Sequence, residues 1–183
     1  NTFRVTLRIN IKSMGRVLIR QLAKDDWELY KNLRLRSLQE SPEAFGSTYE
    51  RESEFTDERW RDRVDANGGV HQTLPLVAEI DEQAIGIASG VVHFAGDNSA
   101  YVYQMWVAPE SRGQGAARLL LDRIISWASL VGVDNLNLGV NLSNSEAIKL
   151  YQSAGFTFFG EQEPMRPDSS SLTQSMTHQL STG

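Results

Sequence analysis

Residues 101–131 read YVYQMWVAPESRGQGAARLLLDRIISWASLV, which predicts a strand, a glycine turn and a helix in that order. The first seven residues alternate between two faces, as strand residues do, and Pro109 ends the strand because it cannot donate a backbone hydrogen bond. One face of the predicted strand carries Tyr101, Tyr103, Met105 and Val107. Apolar residues of the helix recur three and four positions apart, at Ala116, Leu119, Leu120, Ile124, Trp127, Ala128 and Val131.

The glycine turn between this strand and this helix has the composition of an anion site. Gly113 and Gly115 can adopt positive φ and let the backbone approach a ligand closely. The unpaired N–H groups of the first helical turn favour a phosphate there, and Arg112 adds a positive charge. Many turns before helices contain two glycines for steric reasons alone, so the turn needs a second motif to become specific.

A second pattern follows at residues 135–156. NLNLGVNL alternates as a strand, and Asn144 then precedes a short helix that Gly155 ends. One face of that helix carries Ala147, Leu150, Tyr151 and Ala154. The chain therefore repeats a strand-to-helix transition directly after the first one.

Together the two patterns, V-x-P-E-x-R-G-Q-G-A and N-x-x-A-x-x-L-Y-x-x-x-G-F, resemble the GNAT superfamily of acetyl-CoA-dependent N-acetyltransferases. The resemblance extends over residues 17–180. It implies an α/β fold with a central mixed sheet of about six to seven strands and helices on both faces. It also implies direct transfer of an acetyl group from acetyl-CoA to a primary amine in a ternary complex.

The resemblance implies roles for residues of both motifs. Asn144 matches an amide that binds the pantetheine or acetyl end, and Tyr151 matches a phenol that protonates the departing thiolate. From the residues alone, Asn144 could equally be a helix N-cap and Tyr151 a core tyrosine. The pantetheine arm is expected on a splayed strand at Met105, Trp106 and Val107. The pyrophosphate is expected on Arg112, Gly113, Gln114, Gly115, Ala116 and Ala117.

The acceptor site is predicted less specifically. Two helices are predicted at 27–39 and 56–66, with a loop between them, and family members commonly bind the acceptor there. The resemblance therefore makes Phe45, Tyr49, Glu50 and Glu52 acceptor candidates, and Glu79 is added from a neighbouring strand. The alternative is that the two aromatic residues pack the loop onto the sheet and that Glu52 is exposed to solvent.

A base is required because an alkyl amine with a pKa of about 10 must lose a proton before it attacks. Gln104 lies where several relatives have a glutamate, so the candidates are Glu79, Glu50 and His93, and the sequence does not choose among them. Five acids at Glu50, Glu52, Glu54, Asp57 and Glu58 favour a cationic acceptor, such as a small amine or an amino sugar. The expected acceptor is therefore a small amine, an amino acid or an amino-sugar compound.

Composition limits the other classes of function. The 183 residues suit a single domain at 16–183, and residues 1–15 are an unassigned tail or extra strand. A net charge of −5 argues against nucleic-acid binding, and the chain has no cysteine for a thiolate metal site. We expect no metal, no membrane span and a cytoplasmic location. The resemblance also implies a homodimer, formed by strand pairing near the C-terminus.

Three alternatives to a small-molecule acetyltransferase follow from the same residues. A dinucleotide-binding enzyme is disfavoured because Arg118 occupies the third glycine position of that fingerprint. A non-catalytic module that binds or senses acyl-CoA remains open, since a binding protein can keep Tyr151. An acetyltransferase that acts on protein N-termini or lysines also remains open, because acceptor choice lies in loops without a transferable code.

Overall fold

A seven-stranded mixed sheet forms the centre of the molecule in this computed structural model, which describes residues 15–65 and 72–180. The strands are β1 (Leu18–Gln21), β2 (Gln72–Ile80), β3 (Gln83–Val92), β4 (Ser99–Val107), β5 (Asn135–Asn141), β6 (Thr157–Pro164) and β7 (Leu172–Gln179). Their order is β1-β2-β3-β4-β5-β7-β6, and β4 pairs with β5 in parallel while the other neighbours are antiparallel. The predicted fold class is confirmed. Residues 1–14, most of the predicted tail or extra strand, lie outside the described residues.

Helices cover both faces of the sheet. They are α1 (Trp27–Glu40), α2 (Tyr49–Ser53), α3 (Asp57–Val64), α4 (Ala116–Val131) and α5 (Ser145–Ser153). The segment before α3, predicted as a loop, instead contains α2, and the Thr48 hydroxyl accepts a 3.3 Å hydrogen bond from the Arg51 N–H at its start. A side-chain cap of this kind stabilises a single helical turn that shows too few residues for a periodic pattern.

Two apolar cores lie on opposite faces of the sheet. The side chains of α4 and α5 pack on one face, with Leu120, Ile124, Leu136 and Phe156 in the core. The side chains of α1 and α3 pack on the other face, with Tyr30, Trp60, Val77 and Trp106 in the core. In α4 the prediction for Leu119 was wrong: it is 41% exposed, because the helix turns Leu120 and Leu121 toward the sheet.

A bulge at Gln104 interrupts β4. Tyr103 is opposite Ser89 and Trp106 is opposite Ile87, so β4 has one residue more than β3 over this stretch, and Gln104 has a φ of +59°. An extra residue exchanges the two faces of a strand beyond it. The expected alternation is therefore wrong after Tyr103: Met105 and Val107 pack on the α4 face with Val102, while Trp106 packs on the α1 face.

Beyond the first three residues of β4 the sheet opens between β4 and β5. The paired positions are Ser99 with Asn135, Ala100 with Leu136 and Tyr101 with Asn137. On its other side β5 pairs with β7 along the whole of Asn135–Asn141. The backbone of Met105–Val107 on the β5 side is thus left outside the parallel ladder. The splayed strand that the family resemblance implies is present.

The strand at the C-terminal edge of the sheet is β6, and all of its residues are exposed. Phe158 and Phe159 are 37% and 44% exposed. An edge strand with apolar side chains can pair with another chain. The homodimer nevertheless stays a prediction.

Candidate active site

The glycine turn opens onto the first turn of α4 at the splayed end of β4. Gly113 and Gly115 have φ values of +79° and +84°, and Gly115 is the N-cap residue of α4. Among the described residues, no backbone carbonyl accepts a hydrogen bond from the N–H groups of residues 113–118. A run of free N–H groups at the positive end of a helix dipole is suited to bind a phosphate or pyrophosphate.

Arg112 anchors this turn to its surroundings. Its Nε donates to the Val107 carbonyl at 2.9 Å, and its Nη2 donates to Glu40 Oε2 at 2.9 Å. Glu40 also accepts from Trp106 Nε1 at 2.9 Å. Burial raises the pKa of Glu40, but the hydrogen bonds from Ser41, Trp106 and Arg112 outweigh burial and lower it. The guanidinium thus ties the turn to β4 and to the end of α1, and its predicted role toward the pyrophosphate stays a prediction.

Tyr151 lies on α5 and belongs to the apolar core on the α4 face of the sheet. The residue is 7% exposed, and its ring centre is 6.0 Å from that of Phe156. Within the described residues its hydroxyl makes no hydrogen bond. Burial raises the pKa of Tyr151 to about 12. The tyrosine is therefore a core residue whose hydroxyl stays protonated at neutral pH.

Asn144 caps α5, since its Oδ1 accepts a 3.1 Å hydrogen bond from the Ala147 N–H. This confirms the N-cap interpretation, while a contact to the pantetheine stays a prediction. Sequence reasoning missed Asn141, which is 5% exposed and donates through Nδ2 to the Glu43 carbonyl at 2.7 Å. The bond holds the end of β5 to the turn after α1. A polar residue at the buried end of a strand was the available signal.

A cavity of about 350 Å³ lies between α3 and the α1 face of β2, β3 and β4. Its walls include Tyr30, Arg59, Arg63, His93, Tyr103 and Gln104. The Tyr30 hydroxyl donates to Gln104 Oε1, so the cavity reaches the bulge of β4. The cavity is large enough for a small molecule.

Of the three candidate bases, Glu79, Glu50 and His93, the histidine is the one in the cavity wall. Its Nε2 lies 2.8 Å from the Tyr103 hydroxyl, and its ring centre is 5.0 Å from that of Tyr101. Burial raises the pKa of Tyr103, and the neighbouring Tyr101 adds to that rise. Tyr103 was predicted only as a strand residue, because its partner is ten positions away on another strand.

The predicted acceptor residues lie elsewhere. Phe45 is 7% exposed, with the Arg34 guanidinium 4.5 Å from its ring centre, and Tyr49 packs against the same core. Glu50 is exposed, and Glu79 Oε1 accepts from Arg20 Nη2 at 2.9 Å in the β1–β2 pair. Among the described residues that line the cavity, none is one of these four. Across the cavity from α3 lies β4, and the loop after α1, which lies within the described residues, does not contribute to the cavity wall.

The expectation for Glu52 was wrong. This carboxylate is 1% exposed and accepts from Arg34 Nη2 at 2.8 Å, from Arg34 Nε at 3.0 Å and from Arg63 Nη1 at 2.9 Å. Asp57 also has a partner, the Lys31 ammonium at 3.3 Å. The five acids are therefore not one free anionic surface, and the argument for a cationic acceptor is weakened.

Comparison with known proteins agrees with this geometry. The Acetyltransferase (GNAT) family matches residues 27–156, and the chain belongs to this family. A mycothiol acetyltransferase from Stackebrandtia nassauensis is 35% identical over 85 residues, which are 45% of this chain and 28% of that protein. An L-2,4-diaminobutyric acid acetyltransferase from Nocardia farcinica is 26% identical over 76 residues, 42% of this chain and 39% of that protein.

The matched segments therefore span less than half the length of these two relatives. The fold is also found in the PaiA N-acetyltransferase from Thermoplasma acidophilum, solved in complex with coenzyme A. That structure superimposes with a TM-score of 0.69 at 19% identity, over 90% of this chain and 99% of that one.

Two further findings apply to residues 15–65 and 72–180. No group of three or more histidine or acidic side chains in this part of the chain could hold a metal ion. None of the helices described is both long and apolar enough to cross a membrane.

Proposed function

We propose that the protein transfers an acetyl group from acetyl-CoA to the primary amine of a small molecule by direct attack. The observations that carry the proposal are the opening between β4 and β5, the free N–H groups at the start of α4, and the buried Tyr151 hydroxyl, which has no hydrogen-bond partner among the described residues. An elongated thioester fits such an opening, because phosphates bind at a helix N-terminus and amides bind along a free strand edge. The PaiA structure with coenzyme A, which has the same fold, supports this assignment.

Each part of the site has a proposed task. The turn at 112–117 binds the pyrophosphate through its N–H groups, and the free edge of Met105, Trp106 and Val107 binds the pantetheine. Bound acetyl-CoA supplies an activated acyl group. The backbone N–H groups near the Gln104 bulge polarise its carbonyl, and Tyr151 donates a proton to the departing thiolate. Positioning of the two substrates side by side supplies much of the rate acceleration.

The acceptor binds in the cavity on the α1 face, and His93 accepts the amine proton. Among Glu79, Glu50 and His93, the histidine is favoured because it lines the cavity and its Nε2 contacts Tyr103. An L-2,4-diaminobutyric acid acetyltransferase among the relatives supports a small amine or amino acid as the acceptor. The proposal includes a cytoplasmic location, with which the absence of cysteine agrees.

The decisive experiment measures thiol release from acetyl-CoA with a panel of amines, for the wild type and for Tyr151→Phe. Phenylalanine keeps the packing against Phe156 and removes the hydroxyl. We expect kcat to fall about a hundredfold or more, because an acid in a transfer step contributes roughly 10²–10⁴. Coenzyme affinity, measured by calorimetry, should stay within a few-fold of the wild type.

Three results would contradict this function. Coenzyme binding without release by any amine would favour a binding or sensing module. Release with peptides but not with small amines would favour a protein acetyltransferase. Absence of coenzyme binding would refute the assignment of the 112–117 turn.

A further inference from the structure

We infer that the acceptor amine also carries a carboxylate, and that Arg63 and Arg59 bind this carboxylate in the cavity. The inference rests on the proposed acetyl transfer and adds the chemical class of its substrate, which is that of an amino acid. It reverses the charge that the acidic residues of the sequence suggest for the acceptor.

Arg63 is held in place by buried groups. Its Nη1 donates to Glu52 Oε2, and Glu52 is itself bonded twice by Arg34, which is 3% exposed. The guanidinium also lies 4.9 Å from the ring centre of Phe55 and 5.4 Å from that of Trp60. One carboxylate is thus shared by two guanidinium groups. The cluster keeps a net positive charge, and Arg63, which lines the cavity, keeps further N–H donors for an anion.

Arg59 supplies a second positive charge from the preceding turn of α3. It stands four residues before Arg63, so both side chains point from the same face of the helix into the cavity. Its guanidinium lies 3.7 Å from the ring centre of Phe55. Within the described residues Arg59 forms no salt bridge. A guanidinium presents its N–H donors in a fork that matches a carboxylate, and the second positive charge adds to the attraction.

The two acids of the cavity wall cancel only part of this positive charge. Asp65 Oδ2 accepts from Lys24 Nζ at 3.2 Å, so the positive charge of Lys24 balances it. Asp62 balances Arg59 in charge, and the cluster of Arg34, Glu52 and Arg63 adds one positive charge. The cavity as a whole therefore favours a ligand with an anionic group.

The position of Arg63 also limits the size of the ligand. Arg63 and Tyr30 both line the cavity. The Tyr30 hydroxyl donates to Gln104 at the bulge, where the acetyl group is proposed to lie. A carboxylate bound by Arg63 and an amine at the bulge then share one cavity of about 350 Å³, which suits a small molecule such as a single amino acid.

The test compares L-amino acids, including L-2,4-diaminobutyric acid, with their carboxamides as acceptors. The carboxamide keeps the amine and the shape and removes the negative charge. We expect the wild type to favour the acid over its amide by about ten- to hundredfold in kcat/KM, since that is the effect of one charged hydrogen bond. Arg59→Gln should lower this ratio about tenfold, and Arg63→Lys, which keeps the charge that Glu52 requires, should lower it several-fold.

Arg61→Gln is the matched control. Arg61 belongs to the same helix, but its guanidinium lies 4.4 Å from the Trp27 ring centre and is not part of the cavity wall. For this variant, the ratio of kcat/KM for the acid to kcat/KM for the amide should equal that of the wild type. Equal kcat/KM for acids and amides, or a ratio that Arg59→Gln leaves unchanged, would overturn the inference while acetyl transfer stands.

Calorimetric titration of the same acids and amides with coenzyme A present separates the two proposals. If no amine releases thiol, but acids bind more tightly than amides and Arg59→Gln removes the difference, the carboxylate site stands and the transfer function fails. If acids and amides bind equally, or if neither binds, the carboxylate site is refuted.

Discussion

The two halves of the proposed active site are built by different means. On the proposed coenzyme side, between β4 and β5, the site consists of backbone: a splayed strand, two glycines with positive φ and a run of free N–H groups. On the proposed acceptor side, between α3 and β4, the site consists of side chains that hold one another, with the buried Glu52 and Arg34 and the half-buried Arg63 in one cluster. Chemistry common to all substrates of a family can be fixed by backbone, whereas a particular acceptor needs particular side chains.

The comparison makes different predictions for the two halves. Substitution of a side chain on the acceptor side should affect both stability and acceptor choice. On the coenzyme side, a substitution should act chiefly when it changes the conformation of the backbone.

The largest effect on stability is expected from Glu52→Ala. Removal of this carboxylate leaves the buried Arg34 without its partner, and loss of one member of a buried pair costs about 3–5 kcal/mol. Urea unfolding at pH 7 measures the change. A loss below about 1 kcal/mol would show that the cluster does not hold the acceptor side together.

The same carboxylate should also shape the acid stability of the protein. Burial raises the pKa of Glu52, but the hydrogen bonds and charges of Arg34 and Arg63 outweigh burial and lower it. Because the folded pKa is lowered, the stabilisation is complete above the unfolded value of about 4.3 and is lost as the pH falls below it. Unfolding free energies from pH 7 to pH 3 should therefore fall more steeply for the wild type than for Glu52→Ala.

An intermediate effect is expected from Gly115→Ala. Alanine at a φ of +84° costs about 1–2 kcal/mol, and its strain displaces the N–H groups that are proposed to bind the pyrophosphate. Coenzyme affinity, measured by calorimetry, should fall at least tenfold.

Gly132 offers the matched control at the other end of α4, where φ is +87°. Gly132→Ala should lose about as much stability as Gly115→Ala, since the strain is alike. Its coenzyme affinity should be unchanged. Equal losses of affinity in the two variants would mean that general destabilisation, and not the turn, controls coenzyme binding.

The smallest effect is expected from Asp57→Asn. Its carboxylate pairs with Lys31 across α1 and α3, but the two side chains are 56% and 29% exposed. Exposed pairs contribute about 0–1 kcal/mol, and salt screens them. Urea unfolding at low and high salt should show a loss within that range that shrinks with salt. A loss as large as that of Glu52→Ala would remove the distinction between buried and exposed pairs on the acceptor side.

The sequence predicted the backbone of the proposed coenzyme side in detail, because backbone geometry leaves local marks. Pro109, Gly113 and Gly115 mark the end of β4 and the turn, and the alternation of 135–142 marks β5. Apolar periodicity likewise indicated α1, α4 and α5. These features depend on residues close to one another along the chain.

The acceptor side was predicted poorly for the opposite reason. The pairs of Glu52 with Arg34 and of His93 with Tyr103 join residues 18 and ten positions apart in different elements. No local pattern distinguishes a buried glutamate from the exposed acids around it. The bulge at Gln104 was also missed, since a polar residue within an alternating strand does not reveal that it is an extra one.

The Gln104 bulge divides β4 into two segments, and the face that carries even-numbered residues before the bulge carries odd-numbered residues after it. Even-numbered residues before it and odd-numbered residues after it face α4, so Val102 and Met105 share a side of the sheet. The strand can therefore present Tyr103 and Gln104 in succession to the same cavity, which an unbroken strand cannot do. Deletion of Gln104 would restore regular pairing with β3 and leave Trp106 opposite Ile87 on the α1 face, but Tyr103 would then be the last residue of this stretch to face the cavity.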